Sequence, residues 1–268
     1  GIIFSDILML PFGLGQDVKF KKNFGPELGE IKIESFSNQT EEGFIKKLNP
    51  IYNLLNITSK NQLLKNKELF GFVGAPWTLL VYMLNKISPK KNLNKNFFED
   101  KKLIDELIKI IIKFLKIHIK HQVLSGASII QIFDSWAGLV DEKDIEDYIY
   151  KPTLEVVNFT KSLNVPVICF PREIKNYKKF VDNVNPDVVS IDYNVNPKNI
   201  LDTIQIPIQG GLDPKVLLLD KNNVKKEAQK YLDIFKDHPY IFNLGHGVLP
   251  ETNPDMVNYL VNIVKNFK

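Results

Sequence analysis

Short runs rich in Val, Ile and Phe alternate along this chain with longer stretches of helical period, and that alternation limits the possible folds more than any other feature. The runs occupy residues 2–8, 69–74, 128–134, 165–170, 188–192, 207–212 and 240–244. Helical patterns lie between them, among them Lys101–Leu124, residues 145–163 and residues 224–235. Continuous apolar strands need cover on both faces, and intervening helices supply it, so the pattern predicts a parallel sheet wrapped by helices. Each run tends to end in a polar or small residue: Asp6, Ala75-Pro76, Asp134-Ser135, Asp192, Asp213 and His246. Chemistry gathered at the carboxyl ends of parallel strands is the habit of a (β/α)8, or TIM, barrel. The rival is an open doubly wound sheet, which should carry a glycine-rich phosphate loop near its first strand. The segment Met9-Leu10-Pro11-Phe12-Gly13-Leu14-Gly15 lacks that spacing. The prediction is an α/β chain in which residues 1–268 form one barrel domain. Seven runs cannot close eight strands, and the chain opens at Gly1 without a methionine, so the first strand and an N-terminal extension are expected to be missing.

Composition excludes several functions. Of the 35 basic residues only Arg172 is an arginine, and the net charge of +4 is spread over scattered lysines. A nucleic-acid partner would call for a basic stripe with interleaved aromatics, and none is present. The apolar stretch at residues 103–124 carries Asp105, Glu106, Lys109, Lys113, Lys116 and Lys120 at helical spacing, which suits an amphipathic helix and not a membrane span. Cys169 is the sole cysteine, and Gly1-Ile2-Ile3-Phe4 has no basic leader, so a reducing, cytoplasmic setting is expected. His118 and His121 stand one helical turn apart among lysines and read as a solvated face. No His-Glu-x-x-His pattern exists, and a metal site is not expected.

Four segments carry candidate chemistry. Phe4-Ser5-Asp6-Ile7-Leu8 puts a carboxylate in an apolar strand, where it needs hydrogen bonds or a function. On the pentapeptide alone, a structural cap and a catalytic role are both open. Gly71-Phe72-Val73-Gly74-Ala75-Pro76-Trp77-Thr78 runs from strand into helix, with Pro76 in the first turn and Tyr82 one turn beyond Thr78. Tyr82 is either a hydrogen-bond donor at the barrel mouth or a core ring. In Gln131-Ile132-Phe133-Asp134-Ser135-Trp136-Ala137-Gly138, Ser135 has no adjacent histidine, so a carboxylate-binding hydroxyl is favoured over a nucleophile. In Asn243-Leu244-Gly245-His246-Gly247, flanking glycines let the His246 backbone approach a ligand closely.

In register, these segments and Gln209-Gly210-Gly211-Leu212-Asp213-Pro214 resemble the uroporphyrinogen decarboxylase family along the whole chain. The resemblance implies a homodimeric barrel that converts uroporphyrinogen III to coproporphyrinogen III by turning four acetates into methyl groups, with no metal and no organic cofactor. It implies that Asp6 accepts hydrogen bonds from pyrrole N–H groups and is the catalytic residue. It implies substrate contacts from Tyr82, Ser135 and His246, and Phe133 in the cleft wall. No membrane partner is expected. The family's Arg-Gln-Ala-Gly-Arg motif is absent, and Arg172 cannot stand in for it on sequence grounds. Gly211 stands where Asn is usual, and the Glu-Gly often found after Tyr82-Met83 is missing. Two rivals remain: a zinc-dependent methyltransferase of the same fold, disfavoured by a single cysteine without a His-x-Cys pattern, and a non-catalytic tetrapyrrole binder.

Overall fold

A computed structural model describes every residue except 4, 22–24, 90–92, 94–98 and 268. Helix α1 (Met9–Leu14) leads into a hairpin of β1 (Val18–Lys21) and β2 (Gly25–Leu28), then into helices α2 (Ile33–Ser37) and α3 (Glu41–Ser59). A repeating pattern follows: β3 (Phe70–Gly74), α4 (Pro76–Asn85), α5 (Lys101–Leu124), β4 (Ile129–Asp134), α6 (Lys151–Ser162) and β5 (Val167–Pro171). It continues through α7 (Tyr177–Val184), β6 (Val188–Ile191), α8 (Pro197–Leu201), β7 (Ile208–Gly210), α9 (Lys221–Phe235), β8 (Tyr240–Ile241) and α10 (Pro254–Lys265).

Strands β3 to β8 form one sheet in sequential order, and every neighbouring pair is parallel. A parallel bridge between Ile2 and Phe70 adds to the β3 edge, and another between Leu212 and Leu244 prolongs the β7–β8 pairing. Sequential parallel strands joined through helices are the wall of a TIM-type barrel, as the alternation of runs predicts. Every residue of β5 and β6 is buried, because helices cover one face and neighbouring strands fill the other. Inside, Gln209 of β7 brings its Nε2 to 3.3 Å from Ser190 Oγ of β6 and 3.4 Å from Gln131 Oε1 of β4. Buried polar groups are thereby paired with one another.

Local chemistry sets the helix starts. Side-chain oxygens of Thr40, Asp100, Asn176, Asn196, Asp220 and Asn253 accept backbone N–H bonds at the beginnings of α3, α5, α7, α8, α9 and α10. Pro76 opens α4, where its missing N–H costs nothing. Among the described residues no helix is long and apolar enough to cross a membrane.

Two sequence expectations are corrected, and one element was missed. Residues 5–8 are not in a strand, Ile2 makes a single bridge to Phe70, and Phe4 lies outside the described residues. Asp6 Oδ1 accepts the Leu8 N–H at 2.8 Å, and the Asp6 carbonyl accepts Met9 N–H at 3.1 Å, a turn that bends the chain into α1. The β1–β2 hairpin was not foreseen, because three of the four residues of β1 are exposed and leave no apolar alternation to read. Its anchor is Gln16, whose Nε2 donates to the carbonyls of Gly29 (2.8 Å) and Met83 (3.1 Å).

The second correction is His118, which is buried and not solvated. It falls on the same α5 stripe as Ile104 and Ile111, seven residues apart, while Lys113 and Lys120 face outward. Its Nδ1 meets the Tyr52 hydroxyl of α3 at 2.9 Å. Burial, with a contribution from His121, holds its pKa at about 3. The unfolded chain binds a proton near the ordinary histidine value of about 6.5, and the folded chain does so only near 3. Stability due to neutral His118 is therefore present above that unfolded value and is lost as pH falls toward the folded one. The stability advantage of wild type over His118→Gln should shrink from pH 7 to pH 4, with a limiting slope of about 1.4 kcal/mol per pH unit. Urea titrations at several pH values measure it, and parallel curves would contradict the buried neutral imidazole.

Candidate active site

Polar side chains gather where the strands end. Asp6 lies in the turn before α1, half-buried, and Ile7 beside it lies next to Gly74 at the end of β3. Burial raises the Asp6 pKa, and the Leu8 N–H bond partly offsets this. Tyr82 sits on α4, and its ring packs edge-on against Trp136 at 5.9 Å. Burial raises its phenol pKa. The Asp6 charge pushes the same way, and the Arg172 charge opposes it. Ser135 is the first residue after β4 and is partly exposed. Phe133, one position before the end of β4, meets Phe72 of β3 at 5.9 Å and Phe170 of β5 at 6.3 Å, both edge-to-face. These rings form an apolar collar just inside the mouth.

His246 is exposed in the loop after β8, and its Nδ1 accepts the Gly247 N–H at 2.7 Å. The neutral ring therefore carries its proton on Nε2, an assignment that rests on this bond. Partial enclosure lowers its pKa, and the Arg172 charge adds to the effect. The glycine before it is required by contact: a Cβ on Gly245 would lie 2.4 Å from the Tyr193 nitrogen and 2.8 Å from the Asp192 carbonyl carbon. That close approach packs the His246 loop onto the end of β6. Asp6 and Arg172 are within electrostatic reach of Tyr82, and Arg172 of His246, so these four groups form a chain at the carboxyl ends of the strands.

Two parts of this site were not foreseen. The first is Asp134, which is fully buried, with Oδ1 accepting the Thr78 hydroxyl at 2.7 Å. Thr78 Oγ in turn accepts the Trp136 N–H at 3.1 Å. The end of β4 is so tied to the first turn of α4, one turn before Tyr82. Oδ2 of Asp134 has no hydrogen-bond partner among the described residues, and burial lifts the acid to a pKa of about 7. The second is Arg172, directly after β5, whose place at the end of an apolar strand was the available signal. Its N–H donates to the Asp134 carbonyl at 3.1 Å, and its carbonyl accepts the Gly138 N–H at 3.1 Å.

Cys169 lies buried within β5. Burial and the charges of Asp134 and Asp187 push its thiol pKa up, the opposite of what a thiolate metal ligand needs. Among the described residues no three His, Cys, Asp or Glu side chains converge on one point.

The architecture is that of an α/β-barrel enzyme with its polar groups at the carboxyl ends of the strands. A methyltransferase from Methanosarcina mazei has this fold, with a TM-score of 0.79 and 15% identity over 99% of this chain and 80% of its own. At that identity the likeness concerns fold alone. The family described as Uroporphyrinogen decarboxylase (URO-D) matches residues 1–267. A uroporphyrinogen decarboxylase of Rickettsia bellii (strain RML369-C) is 37% identical over 273 residues, covering 100% of this chain and 80% of that protein. One of Wolbachia pipientis wMel is 38% identical over 271 residues, covering 99% and 79%. The chain belongs to the uroporphyrinogen decarboxylase family.

The dry Asp134 carboxyl has a thermodynamic signature. Its folded pKa of about 7 exceeds the ordinary unfolded value of about 3.9, so between the two the folded state holds a proton that the unfolded chain releases. Stability from this group is complete below the unfolded value and is lost as pH rises toward the folded one. Asp134→Asn, neutral throughout, should gain on wild type as pH rises from 4 to 7. Melting temperatures across that range decide it, and a pH-independent difference would mean that Asp134 is ionised in the folded protein.

Proposed function

We propose that this chain decarboxylates uroporphyrinogen III to coproporphyrinogen III, converting four acetate side chains to methyl groups. The observation that carries the reading is the half-buried Asp6 carboxylate, with Tyr82 and a lone guanidinium in electrostatic reach. Loss of CO2 from a pyrrole acetate leaves an electron pair on carbon. That pair is accommodated once the ring has been protonated and acts as an electron sink. The group needed is then a fixed anion beside the pyrrole nitrogens, and an ionised carboxylate is an acceptor-only group suited to converging N–H donors. Asp6 fills this role, and no metal or organic cofactor is required by it. Tyr82, Ser135 and the Nε2–H of His246 serve as polar contacts to the substrate, and the Phe133 collar keeps the ring's surroundings dry. The working unit is a single-domain barrel, assembled as a homodimer in the cytoplasm, without nucleic-acid or membrane partners.

Asp6→Asn should lower kcat by on the order of a hundredfold or more while weakening porphyrin binding far less. Because the ionised form is needed and burial raises this pKa, the acid limb of kcat/KM should lie above the ordinary carboxylate range and disappear with the carboxylate. Wild-type turnover by the Asn variant would remove Asp6 from the mechanism. Tyr82→Phe, Ser135→Ala and His246→Ala should each cost roughly tenfold to a hundredfold in kcat/KM. Chelation by EDTA should leave turnover unchanged, and a stoichiometric zinc found by elemental analysis would favour methyl-transfer chemistry.

A further inference from the structure

Arginine is used once in this chain, against 34 lysines (35 basic residues less one). Lysine fills every other basic position, so the one guanidinium marks a place where a planar fork does what an ammonium cannot. The backbone there is fixed from several directions. Arg172 bonds to the ends of β4 and the following loop through Asp134 and Gly138. Glu173, next in sequence, has a left-handed φ of 61°, and its N–H donates to Asp192 Oδ2 at 2.9 Å. A Cβ on Gly138 would fall 2.6 Å from the Glu173 Cβ and 2.7 Å from its carbonyl oxygen. A non-glycine residue in this conformation persists only where its surroundings over-determine it, and such residues cluster at ligand clamps.

The side chain held by this cradle is only partly satisfied. Nη2 contacts Glu173 Oε1 at 2.7 Å, while Nε has no hydrogen-bond partner among the described residues. Only 18% of the side chain is exposed, so the unmet donor is not simply hydrated. Asp192, which holds Glu173, adjoins Gly245 and thus the His246 loop, so the guanidinium sits between the ends of β4 and β6 on the same rim as the candidate site. The influence of its charge on both Tyr82 and His246 agrees with that position.

We infer that Arg172 is a substrate-binding residue, whose guanidinium takes a carboxylate arm of the macrocycle at the mouth, across from the Asp6 that faces its centre. This rests on the proposed decarboxylase reading and deepens it. A rigid backbone, an incompletely used fork and a polycarboxylate ligand fit one another, since guanidinium and carboxylate pair through two parallel hydrogen bonds.

Steady-state decarboxylation of uroporphyrinogen by wild type, R172Q and R172K tests this. R172Q should raise KM roughly tenfold to a hundredfold, with kcat within about threefold of wild type, and should flatten the dependence of KM on ionic strength. R172K should restore part of the affinity, since it keeps the charge and loses the fork. A KM and a salt dependence unchanged in R172Q would overturn the inference. If R172Q fails to fold, R172K decides: a raised KM at an unchanged melting temperature supports the assignment, and wild-type kinetics refute it. If wild type shows no turnover, the decarboxylase reading fails by itself. Fluorescence titration with uroporphyrin, an octacarboxylate, then tests Arg172 separately, a weaker Kd in R172Q supporting it and equal values refuting it.

Discussion

The mouth of this barrel depends on how the end of β4 is joined to its neighbours, and Asp134 is where the joins meet. Its side chain holds Thr78 at the start of α4, and its backbone carbonyl holds Arg172 at the end of β5. One residue thus sets the position of two chain segments that carry candidate side chains, Tyr82 one turn beyond Thr78 and the guanidinium itself. The arrangement needs a dry acid. In water a hydroxyl–carboxyl bond competes with solvent and contributes little, whereas in a buried site both partners lose heavily if either lets go. Burial shifts Asp134 toward its protonated form, which avoids the larger cost of an unpaired buried charge.

Charge at the opening is polarised. Asp6 contributes an anion on the side of α1 and β3, and Arg172 a cation on the side of β5 and β6, with the phenol of Tyr82 responding to both. Two fixed opposite charges across a cleft orient a ligand that itself carries a ring of N–H donors inside a rim of carboxylates. Reversing them would place the anion against the carboxylates, and uniform lysine around the rim would attract without orienting. In the proposed reaction the macrocycle keeps its centre to the acid and its arms to the base, whichever of the four acetates is in place.

The parts of the fold that were legible in the sequence are those governed by burial alone. The runs around β4, β5 and β6 stand out because both faces of those strands are covered, and Lys101–Leu124 because its charges keep a strict helical phase. Where one side chain overrides the apolar pattern, the reading fails. Asp6 turns residues 6–8 out of a strand by bonding to the Leu8 N–H. His118 passes for a surface residue because its neighbours in sequence are lysines, yet its neighbours in space are Tyr52 and Phe44. The β1–β2 hairpin is too exposed to leave a period, and is held from outside itself by Gln16 and by the Leu28 N–H on the Lys86 carbonyl. In the candidate site, motif residues could be picked out singly. For Arg172, outside every motif, the one signal was its place directly after an apolar run, which says that it lies at a strand end and not which side chains it meets there.

That last gap has a physical cause. A motif records residues close in sequence, whereas a barrel mouth is assembled from strand ends contributed at intervals of some tens of residues. What brings Arg172 to the site is a relay of backbone contacts across strands: Asp134 to Arg172, Glu173 to Asp192, and Gly245 against Asp192 and Tyr193. Each step relies on a residue chosen for its backbone, whether a glycine without a Cβ or a glutamate held in a left-handed conformation. The same relay makes the rim rigid. Preorganisation of this kind is what the proposed reaction demands, because a charge stabilises a developing ion best when it does not have to move to meet it.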